Sequence, residues 1–232
     1  MHIEPIGHLR TCFGSKFAVP RQPGLCPSAW GLLEFSEKFR SIEAVRGLEG
    51  FSHVWLIFGF HETADEGWRP TIRPPRLGGN ERVGVFASRS TYRPNALGLS
   101  LVKLDSVSTS PGNGMEPPVL KFSSVDLVDG TPIYDIKPYL AYAESVPHAT
   151  SGYANAGIPR LAVKIEDSAA SAFSLLDGLS QRIITEVLSL DPRPAASAHD
   201  PEKTYGALLC DRNVRFRIDC ATCWISAVDV LK

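Results

Sequence analysis

Residues Phe51 to Phe60 read FSHVWLIFGF, an aromatic and β-branched run that is apolar on both faces and too short for a lone buried helix. Such a run predicts a central buried strand. Its neighbours carry strand signals too. Ile3 to Thr11, Trp30 to Phe35, Val83 to Ser88, Gly98 to Val107 and Val119 to Val128 are candidate strands separated by turn residues. Ser36 to Arg46 reads as a short helix ending near Gly47, and Ser106 to Pro118 as a Ser/Pro/Gly-rich hairpin loop. One long helical period stands out: Phe173, Leu176, Leu179, Ile183, Val187 and Leu190 predict a helix over 168–190, capped by Asp167 or Ser168 and stopped by Asp191-Pro192. Tyr205 to Leu209, Val214 to Ile218 and Trp224 to Val228 then suggest a small terminal sheet. Strands followed by a helix with short strands predict a mainly β fold, a β-barrel or sandwich joined to a small α+β domain with a boundary near residues 145–160. Alternating βαβ units are missing, as is any G-x-G-x-x-G opening a helix, so a Rossmann fold is disfavoured.

The 232 residues leave room for one large domain, or for one domain with a small companion. A hydrophobic share of 44% with 21% charged residues is ordinary for a globular chain. No apolar run approaches the ~20 residues of a membrane span. The start, Met1-His2-Ile3-Glu4-Pro5, is no signal peptide, which points to the cytoplasm. Five cysteines include the CxxC at Cys220 and Cys223, but a structural zinc needs four ligands and no second pair is available, so no metal is expected.

A net charge of −1 argues against indiscriminate nucleic-acid binding. The local balance is different: Arg69, Arg73, Arg76, Arg82, Arg89 and Arg93 face only Glu81 across that stretch. A basic stripe on a neutral chain suits a specific anion or a short length of RNA backbone. Three polar, Pro/Gly-rich clusters exceed what folding alone demands. They are KFAVPRQPG (16–24), RSTYRPNALG (89–98) with RPPRLGGN (73–80), and DLVDGTPIYDIKPY (126–139). Proline and glycine fix such loops without helix or sheet, so charges are presented rigidly.

These stretches, together with AVRGLEGFSHVWLIFGFH, LSLDPRPA and KTYG, resemble the TsaA/TrmO (YaeB-like) family of tRNA methyltransferases across nearly the whole chain. The resemblance implies a single-sheeted β-barrel N-terminal domain over 1–145, a small α+β domain over 155–232, a homodimer, and S-adenosylmethionine as cofactor. It further implies methylation of N6 of N6-threonylcarbamoyladenosine beside the anticodon of threonine tRNA. Carried onto this chain, the cofactor contacts are Pro20, Arg21, Gln22, His61, Glu62, Arg89, Leu99, Asp126, Leu127, Val128 and Asp129. Glu62 stands where the family pattern carries an amide.

Chemistry supplies roles for these residues. An arginine such as Arg21 or Arg89 pairs with a carboxylate through a fork of hydrogen bonds, and Asp126 or Asp129 accepts from an ammonium or a ribose hydroxyl. Leu99 and Val128 offer an apolar wall. The N6 nitrogen is conjugated and must shed a proton, so a base is expected; Asp135 and Tyr134 are the catalytic candidates, with Lys137 or Tyr139 orienting substrate. Arg69, Arg73, Arg76 and Arg93, with Trp68 beside them, are candidate tRNA contacts. The rival reading is a non-catalytic RNA-binding module. A Ser-His-Asp hydrolase is excluded by the lack of a G-x-S-x-G elbow.

Overall fold

Period-two burial organises the first half of the chain. The computed structural model describes residues 2–110, 114–194 and 200–231. Its first strands are β1 (Gly7–Thr11), β2 (Trp30–Phe35) and β3 (His53–Gly59), with the short pair β4 (Thr71–Ile72) and β5 (Val83–Gly84) lying outside the main sheet. The long β6 (Leu97–Ser108), β7 (Val119–Ser123) and β8 (Thr131–Pro138) follow. Six of these close into a barrel in the order β1-β2-β7-β6-β3-β8, antiparallel throughout. The mainly β, single-sheeted barrel expected from the sequence is therefore present.

Val54, Leu56 and Phe58 of β3 point inward with Leu9, Leu33, Val102, Leu120, Phe122 and Ile133. The outward residues Trp55 and Ile57 are only half-buried, so burial of β3 on both faces does not hold. A closed barrel has one interior, and the outer face of β3 is covered only in part. Gly98 lies opposite Phe58 in the β3–β6 register, and a Cβ there would stand 2.2 Å from the Phe58 ring. The interior accepts Phe58 because Gly98 has no side chain.

Several local expectations are corrected. Residues 36–50 form three 3₁₀ turns (Glu37–Phe39, Glu43–Val45, Leu48–Gly50) instead of a helix, punctuated by Gly47 at φ 83. The strand expected over 83–88 shrinks to β5 and a 3₁₀ turn at Val85–Ala87. β7 stops at Ser123 because Ser124 takes the left-handed conformation, φ 63. Residues 131–138 belong to a barrel strand, so the third cluster is a loop only as far as Gly130. The 106–118 hairpin loop starts later, after Ser108, and ends at Pro118 as expected; residues 111–113 lie outside the described residues.

Beyond α1 (Ala141–Glu144) comes β9 (Ala162–Ile165), which sequence reading missed, being short and mostly exposed. The single long helix is in fact α2 (Asp167–Ser174) and α3 (Gly178–Leu188). Asp177 breaks the period by capping α3, its carboxylate accepting from the N–H groups of Leu179 and Ser180 at 2.9 and 3.0 Å. Glu166, not Asp167 or Ser168, is the cap position of α2, without a side-chain bond. β10 (Tyr205–Leu209), β11 (Arg212–Asp219) and β12 (Thr222–Val230) complete a sheet of order β10-β11-β12-β9, with β9 parallel to β12.

This second sheet is tied to the barrel. Phe13 bridges Leu209, and the Glu186 carboxylate on α3 accepts from the Ser28 N–H (2.9 Å), the Ser28 hydroxyl (2.8 Å) and the Cys26 thiol (3.2 Å). One continuous apolar core runs through both parts. Cys220 sits exposed at the β11–β12 turn whereas Cys223 is buried in β12, so the CxxC does not present two thiols to one ligand. Among the described residues no helix is long and apolar enough to cross a membrane.

Gly98→Ala forces the Phe58 ring out of place. Urea unfolding should show a loss of roughly 1–3 kcal/mol, the usual cost of overpacking; unchanged stability would contradict the close approach.

Candidate functional site

Strand direction puts the polar clusters on one rim. β1, β3 and β7 end where β2, β6 and β8 begin, so the connections 12–29, 60–96 and 124–130 all emerge at the same mouth of the barrel. The first and third are stitched together by the Gly24 N–H, which donates to the Ser124 carbonyl at 3.1 Å.

In the first connection Pro20 is buried, Arg21 is exposed and Gln22 is half-buried. The Arg89 guanidinium, from the second connection, donates to the Gln22 side-chain oxygen. In the third, Asp126 is partly buried and accepts from the Ser100 hydroxyl at 2.7 Å. Burial pushes its carboxyl up to about 6, against the lowering pull of Ser100 and the nearby Arg89. Gln22, Arg89 and Asp126 thus form one linked polar group at the mouth, with Arg21 next to Gln22 in the chain.

The rest of the 126–129 segment is anchored to β1. Leu127 is buried and its carbonyl accepts from the Thr11 hydroxyl at 3.0 Å. The Val128 carbonyl accepts from the Thr131 hydroxyl at 2.6 Å, and the Asp129 carboxylate accepts from the Thr11 N–H at 2.8 Å. These bonds hold Asp126 in place. His61 and Glu62 are exposed just beyond the end of β3.

Most of the arginine stripe shapes its own loop. Arg93 donates to the carbonyls of Val85 (3.3 Å) and Ser88 (2.9 Å), and Arg69 stacks 4.0 Å over the Tyr92 ring. Arg76 donates to the carbonyls of Ala154 and Ala156. Arg73 is exposed, as are the large apolar side chains of Trp68 and Phe86.

The structure does not bring every candidate to the mouth. Leu99, 54% exposed, sits on the outer wall opposite Ile57. Tyr134 packs over Gly59 on that wall, and Asp135 is exposed there, its carboxylate accepting from the Ile136 N–H at 2.9 Å. Lys137 faces Trp55 lower down β8, and the Tyr139 ring meets Trp55 edge-on at 6.1 Å, near the far rim. Two contributors escaped sequence reading. Ser100 is a lone hydroxyl on the apolar side of the β6 alternation, and that break in pattern is its signal. Asp191, read as a helix stop, and Arg193, quoted only within the family stretch LSLDPRPA, form a bidentate pair at 2.8 Å, and the Arg193 carbonyl accepts from Arg21 at 3.4 Å. Burial pushes Asp191 up, but the Arg193 hydrogen bond and charge outweigh it and hold it below the usual carboxylate value.

A mouth with two arginines, a carboxylate and an apolar floor suits a zwitterionic ligand with polar and flat apolar parts. Comparison with known proteins shows what the chain resembles. Residues 8–145 match the family model described as the tRNA-methyltransferase O N-terminal domain, and residues 158–231 match the TrmO C-terminal domain. The chain is 49% identical over 220 residues to an Escherichia coli protein named tRNA (adenine(37)-N6)-methyltransferase, covering 93% of this chain and 92% of that one. A Pseudomonas aeruginosa relative, provisionally named as an S-adenosylmethionine-dependent methyltransferase, RcsF, is 44% identical over 92% of this chain and 91% of its own. The crystal structure of TrmO from Pseudomonas aeruginosa superposes with a TM-score of 0.78 at 36% identity, covering 98% of this chain and 97% of that one.

The raised Asp126 carboxyl has a signed consequence for stability. The folded state holds that proton more tightly than the unfolded chain, so the contribution is full below about pH 4 and is lost as pH rises through about 6. Asp126→Asn never ionises. Its stability relative to the native chain should therefore climb between about pH 4 and 6, by at most about 1.4 kcal/mol per pH unit, then level off. A flat difference in urea titrations across that range would rule out a buried Asp126.

Proposed function

Because this chain belongs to the tRNA-methyltransferase O family, we propose that it methylates N6 of N6-threonylcarbamoyladenosine next to the anticodon of threonine tRNA. The coarser activity follows from membership: it is an S-adenosylmethionine-dependent tRNA (adenine-N6) methyltransferase. The observation that carries the reading is the Gln22–Arg89–Asp126 group at the barrel mouth. A tRNA substrate also argues for the cytoplasm. We read the chain as a catalytic barrel over 1–145 with a companion over 155–232.

S-adenosylmethionine supplies a methyl group activated by its sulfonium. Arg89, steadied by Gln22, and Arg21 would take its carboxylate. Asp126, ionised at neutral pH, would accept from its ammonium or ribose, while Leu127, Val128 and Pro20 floor the mouth and His61, Glu62 and Asp129 border it. Positioning then carries much of the rate. Asp135 would receive the proton that N6 sheds as it takes the methyl group, with Tyr134 orienting that nitrogen. Arg73 is the freest phosphate contact; Arg69, Arg76 and Arg93 shape the loop and add charge, and Lys137 and Tyr139 would guide the approaching loop of RNA.

Asp135 and Leu99 lie outside the mouth, on an outer wall made apolar by Trp55, Ile57, Leu97 and Leu101. A second copy of the chain seated on this wall would cover it and bring Asp135 toward a neighbouring mouth, the common two-fold arrangement.

Nucleoside mass spectrometry of tRNA from cells lacking the gene should show the methylated threonylcarbamoyladenosine missing. The native gene should restore it and Arg89→Ala should not; an unchanged profile in the deletion would overturn the function. Asp135→Asn should lower turnover about 100-fold or more with S-adenosylmethionine affinity kept, and equal loss of both would move Asp135 to a binding role. Light scattering should give a dimer for the native chain and a monomer for Leu99→Lys; a native monomer would refute the shared wall.

A further inference from the structure

We propose that Cys12 and Cys210 are a site of reversible oxidative modification, closing into a disulfide that fastens the second sheet to the barrel mouth when the protein meets a hydroperoxide. The two residues face each other across an antiparallel junction. Phe13 bridges Leu209, the Cys210 N–H donates to the Cys12 carbonyl at 2.9 Å, and the Gly14 N–H donates to the Leu208 carbonyl at 3.2 Å. Residues directly opposite in this hydrogen-bonded setting have Cα atoms about 5.5 Å apart, inside the roughly 4.4–6.8 Å that a disulfide spans. Directly opposed residues of an antiparallel pair carry their side chains on the same face, which sets the two thiols side by side across the junction.

The environments of the pair differ in the sense that the chemistry needs. Cys12 is buried, 4% exposed. Cys210 is half-exposed, at the β10–β11 turn with φ 51, and it lines a cavity of about 440 Å³ with Trp30, Leu176, Asp177, Ser180 and Arg212. The neighbouring Cys12 thiol favours a thiolate at Cys210 and holds it below the ordinary thiol value, with burial, Asp177 and Asp211 opposing. The same contact and burial push Cys12 well up. The third nearby thiol, Cys26, is kept protonated by burial and by donating to Glu186. Cys210 is thus the reactive and accessible sulfur, and Cys12 the resolving one.

The chemistry balances with hydrogen peroxide as oxidant. The Cys210 thiolate attacks one peroxide oxygen, the O–O bond breaks, and hydroxide leaves to become water, giving a sulfenic acid. The Cys12 sulfur then attacks the Cys210 sulfur, the S–O bond breaks, and the departing hydroxide takes the Cys12 proton as a second water. In a reducing compartment the dithiol is the resting form. The bond would replace the few hydrogen bonds now joining β1 to β10 with a covalent link, four residues before the 16–24 segment of the mouth.

The test is a peptide map of the full chain after hydrogen peroxide, alkylation and tryptic digestion without reductant. Segment 11–16 should appear joined to segment 204–212, lighter by two hydrogens than the separate peptides and released by dithiothreitol. The link should vanish in Cys12→Ser and Cys210→Ser and persist in Cys26→Ser and Cys220→Ser. Cys210 joined to Cys26, or oxidised to sulfinate while Cys12 remains free to alkylate, would overturn the proposal.

Discussion

The hydrogen bonding of β8 to β1 on one side and β3 on the other closes the sheet, and the site depends on that closure. An open sheet would leave two edges and would splay the connections that now share one mouth. With the ring closed, loops far apart in the chain come within one bond of each other. Gly24 reaches Ser124, Arg89 reaches Gln22, and Thr11 reaches both Leu127 and Asp129. Two glycines and a bulge let the ring close around its contents. Gly98 yields to Phe58 inside, Gly59 yields to Tyr134 on the outer wall, and β8 shifts register beside Ile57 and Phe58.

Within the mouth, a compromise between folding and binding is visible. Asp126 is partly desolvated and its carboxyl is raised to about 6, a stability cost at neutral pH that Ser100 and Arg89 reduce without cancelling. A group poised this way is well suited to a charged ligand group, which would restore the lost solvation. The arginine-rich connection shows the reverse economy. Arg69, Arg76 and Arg93 spend their donors on carbonyls and a ring, so a loop without regular structure keeps its shape.

How much was legible in the sequence follows from the range of the forces involved. β2 was read residue for residue, and β6 to within one, because period-two burial is a local signal. The helix over 168–190 was read as one because its apolar spacing runs on across the break; the Asp177 cap, a two-bond feature, wins over that spacing. β9 went unseen because its strand character comes from pairing with β12, which lies sixty residues on. At the site, Gln22, Arg89 and Asp126 were named from resemblance and lie within reach of one another at the mouth. That Asp135 faces outward was not readable, since one register shift in β8 decides which face its residues take; Leu99 faces outward by the β6 alternation itself. The opposition of Cys12 to Cys210 arises only from the docking of the second sheet, as does the bond from Arg21 to the Arg193 carbonyl.

The central claim is that the single barrel mouth formed by 16–24, 85–96 and 124–130 holds S-adenosylmethionine. Amide hydrogen exchange with and without that ligand tests it most directly. The account predicts slowed exchange in all three segments and little change in 36–50 at the opposite rim. Protection confined to the opposite rim or to the terminal sheet, or no protection at saturating ligand, would contradict it.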